Sequence, residues 1–276
     1  MELWVTEYQT PNLGFSCKTS ETLRVEKTLF QDLAVVVTEQ FGKMLLLDGM
    51  VMTTDKDEFV YHEMISMVAL NSHPSPRKVL IIGGGDGGAL REVLRHPKVE
   101  KGILVEIDAQ VIRAARDFFP ALSCSFDDPK AEVIVDDGIK YIQDHKNEFD
   151  VILIDSTEPV GPAVQLFSPE FYASCFAALK EDGIMVAQSE SPFFNQDVIQ
   201  MVLRGIGQAF PITDLYLANI PTYPSGLWSF TVGSKKYNPR EIQTVPDCSF
   251  KYYNSAVHKA AFDVPAFVQD IIGQVK

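Results

Sequence analysis

The sequence predicts an α/β fold in which a small antiparallel β domain precedes a doubly wound parallel sheet. Three observations predict it. Short, often alternating apolar runs fill the first 54 residues, strands and helices alternate from Lys78 onward, and two β runs without an intervening helix follow near the end. Alternating strands and helices favour a parallel sheet covered on both faces. We therefore predict an N-terminal β-sheet domain over 1–54 and a larger Rossmann-like domain over 55–276.

The N-terminal domain is predicted from β-type runs separated by turn residues. Turn signals at Pro11-Asn12, Gly42 and Asp48-Gly49 favour hairpins between these runs. Such a sheet can also offer an edge for subunit pairing. The predicted strands are Leu3–Gln9, Gly14–Lys18, Thr22–Phe30, Leu33–Thr38 and Lys43–Leu47.

A helix is predicted next, capped by Thr54 or Asp55 and running to about Leu70. Its apolar stripe is predicted to consist of Val60, Met64, Met67 and Val68, and the stripe is interrupted by Tyr61, His62 and Glu63. A single histidine in a helix is usually solvated or satisfied within the core, so the spacing alone gives His62 no function.

The segment Lys78–Glu92, KVLIIGGGDGGALRE, predicts a strand, a tight turn and a helix. Gly83, Gly85 and Gly88 have the G-x-G-x-x-G spacing, which lets a ligand lie against backbone amides at a helix N-terminus. This motif alone is weak. Asp86 lies inside the loop, however, and its carboxylate would repel a pyrophosphate. A cationic ligand with an adenosine end fits this loop better than a dinucleotide.

The remainder of the chain completes the sheet. Strands are predicted at 101–106, 132–136, 151–154 and 184–188, and helices at 109–118, 138–146, 169–183 and 196–209. Thr213–Ile220 and Leu227–Ser234 should then pair antiparallel. A closing hairpin of this kind is common in S-adenosylmethionine-dependent transferases and uncommon in dinucleotide dehydrogenases. The prediction is therefore a methyltransferase-like Rossmann doubly wound sheet of seven strands.

Acidic side chains follow the ends of the predicted parallel strands, where doubly wound sheets bind their ligands. A single acid there can simply cap the next helix, which is the interpretation we favour for Asp108 and Asp136. Acids after each of the first four strands indicate a ligand with more than one positive charge. The side chains at these strand ends are Asp86, Glu106, Asp108, Asp136, Asp137, Asp155 and Glu158, followed by Gln188 and Glu190 after the fifth strand.

Composition narrows the function classes. The 276 residues carry a net charge of −13, which disfavours nucleic acid and suits cationic ligands. No apolar run approaches the roughly 20 residues that span a bilayer, and no signal peptide precedes the first strand, so we expect a cytoplasmic protein. The four cysteines are far apart and indicate free thiols rather than a metal site.

Taken together, the motifs resemble those of the polyamine aminopropyltransferases, most closely the bacterial spermidine synthases. The resemblance extends from about residue 3 to residue 236. It is carried by GGGDGG (83–88), VEID (105–108), DDG (136–138) and DSTEPVGPA (155–163), and also by QDL (31–33), LDG (47–49), DEFVYHEM (57–64) and PTYPSGLWSF (221–230).

The resemblance implies transfer of an aminopropyl group from decarboxylated S-adenosylmethionine, as co-substrate, to putrescine, with no prosthetic group and no metal. It implies a dimer or tetramer. It implies that the nucleoside contacts Gln31, Gly83, Gly85, Glu106, Asp137, Gly138 and Pro162, that Asp86 holds the ammonium of the aminopropyl arm, and that the amine is lined by Tyr61, His62, Asp155, Glu158, Gln188 and Tyr223. Asp155 is implied to be the base.

Alternatives remain open from the sequence alone. Many relatives have Gln at the position of His62 and Asp at that of Glu158, which concerns the far end of the amine pocket. Agmatine, cadaverine or spermidine is therefore an alternative acceptor. The nearest rival function is a small-amine N-methyltransferase on the same scaffold. A dinucleotide dehydrogenase and a catalytically silent binding protein are weaker rivals.

Overall fold

The protein is described here by a computed structural model that covers residues 2–157, 161–244 and 249–275. The described residues form two sheets, one of five strands and one of seven. This confirms the predicted fold class, a small antiparallel sheet followed by a doubly wound sheet.

The N-terminal sheet is antiparallel throughout. Its strands are β1 (Leu3–Thr10), β2 (Leu13–Lys27), β3 (Asp32–Thr38), β4 (Gly42–Leu47) and β5 (Met50–Thr54). Two details differ from the prediction. Gly14–Lys18 and the first six residues of the predicted Thr22–Phe30 strand belong to one long strand, β2, which ends at Lys27 and whose register shifts absorb the break in the pattern. The strand β5, which follows the Asp48-Gly49 turn, was not predicted.

Helix α1 (Glu58–Ser72) is buried on all sides rather than along one stripe. It contacts the helix that follows the glycine loop and three strands of the seven-stranded sheet. The polar residues that interrupt the apolar pattern are therefore inside the protein, and each requires a partner there. Glu63, for example, accepts hydrogen bonds from the backbone N–H groups of Lys251, Tyr252 and Tyr253, at 2.8–2.9 Å.

The seven-stranded sheet is parallel except at its closing hairpin. The strands of this sheet are β6 (Lys78–Gly83), β7 (Lys101–Glu106), β8 (Ala131–Val135), β9 (Phe149–Asp155), β10 (Leu179–Gln188), β11 (Ile212–Asn219) and β12 (Leu227–Ser234). Their order across the sheet is β11-β12-β10-β9-β6-β7-β8. β12 pairs antiparallel with both β10 and β11, which confirms the predicted hairpin.

Helices separate most of these strands, and two more lie in the C-terminal tail. They are α2 (Gly88–Arg95), α3 (Ala109–Phe118), α4 (Pro120–Ser123), α5 (Gly138–Gln143), α6 (Pro169–Ala178), α7 (Gln196–Ala209), α8 (Ser255–Ala261) and α9 (Ala266–Gly273), with 3₁₀ helices at Cys124–Asp127 and Gly161–Phe167. Helix α6 ends at Ala178, five residues before the predicted end at Gly183, because Leu179 already adopts an extended conformation and begins β10.

Alternate side chains of the parallel strands pack on opposite faces of the sheet. In β6, Val79 and Ile81 pack against the face that α1 and α2 cover, whereas Leu80 and Ile82 pack toward α5, α6 and α7. A third apolar cluster joins the N-terminal sheet to α3 and α4. The N-terminal sheet is thereby held over the carboxyl end of the seven-stranded sheet.

Two expectations concern absences. Within the described ranges, no helix is both long and apolar enough to cross a membrane. Over the same part of the chain, no group of three or more His, Cys, Asp or Glu side chains is arranged to hold a metal ion. Cys17, Cys124 and Cys175 are free thiols, and Cys248 lies outside the described residues.

Candidate active site

A cleft lies between the N-terminal sheet and the carboxyl ends of the parallel strands. Its empty space, which includes open solvent at the mouth, is about 1280 Å³. The part of the chain that follows the N-terminal sheet contributes polar residues and glycines to the lining, while β4 and β5 contribute apolar side chains. Those from the N-terminal sheet are Leu45, Leu47, Met50 and Met52.

The glycine loop after β6 approaches two acidic residues closely. The N–H of Gly85 donates to Oε2 of Glu106 at 3.2 Å, and a Cβ on Gly85 would lie 2.7 Å from the Glu106 side chain. The other Glu106 oxygen accepts from the N–H of Asp108 at 2.8 Å. Burial, together with the negative charges of Asp108 and Asp155, raises the pKa of Glu106 to about 7. Both Glu106 oxygens are thus fixed at the wall of the cleft.

Asp108 links the N-terminal β segment to the start of α3. It caps α3 by accepting from Gln110 N–H, which confirms the predicted cap. Its other oxygen accepts from the hydroxyl of Thr28 at 2.7 Å and from Nε2 of Gln31 at 3.0 Å. Gln31 lines the cleft in this orientation.

Asp155, the last residue of β9, lies at the centre of the cleft. Its carboxylate accepts a hydrogen bond from the hydroxyl of Tyr61 at 2.7 Å, and its backbone carbonyl accepts from Gly84 N–H at 2.8 Å. Burial and the nearby charge of Asp86 raise the pKa of Asp155 to about 6, although His62 and the Tyr61 hydrogen bond oppose the shift. A carboxylate with a raised pKa can accept a proton from an ammonium more readily than an exposed one.

His62 is a member of this site, which its position in the helix did not indicate. Its Nε2 lies 3.3 Å from Oδ2 of Asp86, and its Nδ1 lies 2.7 Å from Oε2 of Glu58. Burial disfavours the imidazolium, yet the two carboxylates outweigh burial and hold the pKa of His62 well above its ordinary value. Asp86 also accepts from Gly88 N–H at 2.8 Å. The Asp86 carboxylate is therefore held from two sides.

A second, smaller pocket continues the cleft past Tyr61 and Tyr223. Gln188 donates through Nε2 to the Ser156 carbonyl at 3.2 Å and to Glu190 at 3.3 Å. The hydroxyl of Tyr223 donates to the Met52 carbonyl at 2.6 Å, so this ring is held against β5 of the N-terminal sheet. Two buried acids, Glu7 of β1 and Glu190, line the pocket as well.

The adenine-side residues follow β8. Asp137 and Gly138 line the cleft, and Asp137 is the N-cap of α5 because it accepts from Ile139 N–H at 2.9 Å. The prediction that Asp136 caps this helix is therefore wrong; its carboxylate accepts from Asp137 N–H instead. Glu158 lies outside the described residues, and so does the side chain of Pro162.

No role was predicted for Glu7 or for Glu58 from the sequence. Glu7 accepts from Val51 N–H at 3.0 Å, which brings the two outer strands of the N-terminal sheet together. The sequence feature that could have identified Glu7 is an acid on the inward face of an alternating strand. The signal for Glu58 was its spacing four residues before His62, which places both side chains on one helix face.

The fold and the site define a class. The seven-stranded sheet closes with an antiparallel hairpin, and the glycine loop faces an acid-lined cleft. This combination is typical of transferases related to the S-adenosylmethionine-dependent enzymes. Comparison with known families narrows this class. Residues 58–244 match the family model described as "Spermine/spermidine synthase domain", and residues 3–55 match "Spermidine synthase tetramerisation domain". The chain belongs to the spermine/spermidine synthase family and is an aminopropyltransferase.

Individual relatives are similar over almost the full length. The polyamine aminopropyltransferase of Caldicellulosiruptor bescii is 58% identical over 274 residues, with 99% of each chain covered. That of Bacillus subtilis is 55% identical over 273 residues, covering 98% of this chain and 99% of the relative. A crystal structure of a spermidine synthase in complex with the transition-state analogue AdoDATO is 45% identical, with a TM-score of 0.94 over 99% of this chain and 95% of that one.

Proposed function

We propose that the enzyme is a spermidine synthase, which transfers the aminopropyl group of decarboxylated S-adenosylmethionine to putrescine and releases methylthioadenosine. The observation that carries this proposal is the pair of carboxylates in the cleft, the buried Asp86 and the half-buried Asp155. Both substrates are cations. Negative side chains in a site of low dielectric attract them and offset their mutual repulsion.

The donor end of the cleft is assigned to the nucleoside. We propose that Glu106 accepts hydrogen bonds from the ribose hydroxyls and that Asp137 and Gly138 contact the adenine, with Gln31 and the backbone at Gly83 and Gly85 completing the site. Asp86 is assigned to the ammonium of the aminopropyl arm. It also disfavours intact S-adenosylmethionine, whose additional carboxylate would meet a carboxylate of like charge.

This assignment makes nucleoside binding depend on pH. The pKa of Glu106 is raised to about 7, so below that pH the protonated form prevails and can accept fewer hydrogen bonds from the ribose. We expect the Kd of methylthioadenosine to be about tenfold higher at pH 6 than at pH 8, measured by titration calorimetry. The Glu106→Gln variant should bind weakly at both pH values. A wild-type Kd independent of pH would remove Glu106 from the ribose site.

At the acceptor end, we propose that Asp155 is the base. An amine with a pKa of ~10 is mostly protonated at pH 7, so forming the reactive neutral amine costs roughly 4 kcal/mol. Asp155 takes a proton from the ammonium directly or through water, the nitrogen lone pair then forms the new C–N bond, and the C–S bond breaks to leave a neutral thioether. During the transfer, positive charge disappears from sulfur and develops on nitrogen. A carboxylate near the nitrogen therefore stabilises the transition state.

Acceptor length is assigned to the second pocket. We propose that Tyr61, His62 and Tyr223 surround the reacting end, while Gln188, Glu7 and Glu190 receive the distant ammonium of the diamine. Glu158 is proposed to belong to the same amine site from the sequence motif alone. Two acids in the lining of this pocket favour a second cationic group over an alkyl chain that ends without charge.

Product identification tests the function. Purified enzyme is offered decarboxylated or intact S-adenosylmethionine with putrescine, cadaverine, agmatine or spermidine, and products are identified by mass. We expect the main product to be spermidine, formed from the decarboxylated donor and putrescine. A methylated amine from the intact donor would overturn the reaction assignment, whereas a faster reaction with another amine would overturn only the acceptor.

We also propose that 1–54 and 55–276 are separate domains, that the enzyme is cytoplasmic, and that it forms a homodimer or homotetramer through the N-terminal sheet. Several large apolar side chains of this sheet are exposed in the single chain, as expected of an interface. They are Leu3, Trp4, Tyr8, Leu13 and Val25. A monomeric mass by light scattering would exclude the assembly.

A further inference from the structure

Behind the active site, four buried or half-buried side chains form a row of alternating charges. Arg91 of α2 donates to both oxygens of Glu58, at 2.8 and 3.1 Å. Glu58 Oε2 also accepts from Nδ1 of His62 at 2.7 Å, and His62 Nε2 meets Asp86. The row therefore connects a helix outside the cleft to the carboxylate that is proposed to hold the donor ammonium.

Two features of the His62 surroundings, its burial and its position at a helix N-terminus, disfavour a charged ring. The side chain is 3% exposed, and it lies over the N-terminus of α2, where the helix dipole disfavours a cation. A Cβ on Gly88 would lie 2.2 Å from the ring, so the ring is pressed against that helix end. The ionisable groups that face it are Glu58 and Tyr61 from α1, Asp86 from the glycine loop, Asp155 from β9, and Arg91 behind Glu58.

The charge of the ring determines what it can do for Asp86. An imidazolium donates from both nitrogens, so it can bond to Glu58 and Asp86 together. A neutral ring has one N–H. If that hydrogen points to position 58, the Nε2 lone pair faces the Asp86 carboxylate and repels it.

We propose that Glu58 is a positioning residue for donor binding: its carboxylate keeps both ring nitrogens of His62 protonated, so that Nε2–H always donates to Asp86 and fixes this carboxylate for the cationic arm of the donor. The inference rests on the proposed function only in assigning Asp86 to that arm. The protonation state of His62 can be measured without any substrate.

Nitrogen-15 NMR of the histidine side chains provides the direct measurement. The His62 signals are assigned by their loss in His62→Gln. In the wild-type enzyme, we expect both ring nitrogens of His62 to remain protonated from pH 6 to pH 9. A neutral His62 ring at pH 7.5 in the wild type would overturn the proposal, even if no variant could be purified.

The Glu58→Gln variant tests the cause. With the carboxylate gone, His62 should lose its proton within the same pH range. We expect the KM for decarboxylated S-adenosylmethionine, divided by that of the wild type at the same pH, to rise about tenfold from pH 6.5 to pH 8.5, the loss of one charge-assisted hydrogen bond, whereas kcat changes little. In the wild type, this KM should show no such rise toward high pH.

Glu92→Gln is the matched control. Glu92 is 1% exposed and pairs with Arg91 and Arg95, yet it makes no hydrogen bond to His62. This variant removes a buried carboxylate from the same arginine and should leave His62 protonated and the pH dependence of the KM equal to that of the wild type. In a His62→Gln background, Glu58→Gln should add no pH dependence, because the titrating ring is absent.

The outcomes separate this inference from the proposed function. If His62 stays protonated in Glu58→Gln, or if Glu92→Gln has the same effect on KM, the positioning role is wrong. If His62 loses its proton in Glu58→Gln but the donor KM keeps the pH dependence of the wild type, Glu58 does not position the donor site. Failure of the wild-type enzyme to use the decarboxylated donor would overturn the proposed function instead, while the NMR result would stand.

Discussion

Asp155→Asn is expected to lower kcat about 10²- to 10⁴-fold while the enzyme remains folded and still binds methylthioadenosine. The amide has nearly the same shape as the carboxylate and can still accept the hydrogen bond from Tyr61, which lies at 2.7 Å in the wild type. It cannot accept a proton from the ammonium, and it offers no negative charge as charge develops on nitrogen. Single-turnover kinetics with saturating substrates would measure the loss in the chemical step itself.

The matched control is Asp150→Asn, at the other end of the same strand. Asp150 is 5% exposed, accepts from the backbone N–H groups of Arg77 and Lys78, and pairs with Lys180. Its substitution should lower stability but leave turnover per folded molecule close to that of the wild type. If Asp155→Asn lost no more turnover than Asp150→Asn, Asp155 would not be the base.

The seven-stranded sheet was predictable because its central strands, such as β6 and β9, are buried on both faces. Continuous apolar runs such as Val79–Ile82 read clearly in the sequence, and the change from helix to hairpin after α7 fixed the class of sheet. Strand ends were equally clear, so the acids that line the cleft could be identified before their contacts were known.

Elements without a clear apolar pattern were harder to predict. Strand β2 is largely exposed or half-buried, so its middle lacks alternation and its continuity could not be seen. Helix α1 carries polar residues that are buried through tertiary contacts, and its low amphipathicity concealed a fully buried helix. Glu58 shows the same limit. Its spacing from His62 was visible, but its pairing with Arg91, on another helix, depends on packing.

Gly83→Ala is expected to lower the free energy of unfolding by about 3 kcal/mol, from backbone strain and overpacking together. The residue has φ of +82°, and a Cβ there would lie 2.2 Å from the Asp155 carbonyl oxygen. That oxygen is backbone and accepts from Gly84 N–H, so neither group can rotate away. The strands β6 and β9 would have to separate beside the proposed base, which should also lower kcat/KM about 10²-fold. Urea denaturation and steady-state kinetics measure the two effects.

Gly49→Ala separates strain from crowding. Gly49 lies in the β4–β5 turn with φ of +81°, and no atom lies within 4 Å of the position that its Cβ would occupy. The same substitution therefore imposes the same backbone strain in open space, and it should cost only about 1 kcal/mol. The difference between the two variants gives the cost of the contact with Asp155. Equal costs would mean that β6 and β9 can separate freely at this point, and the close approach that holds Asp155 against the glycine loop would then have no energetic importance.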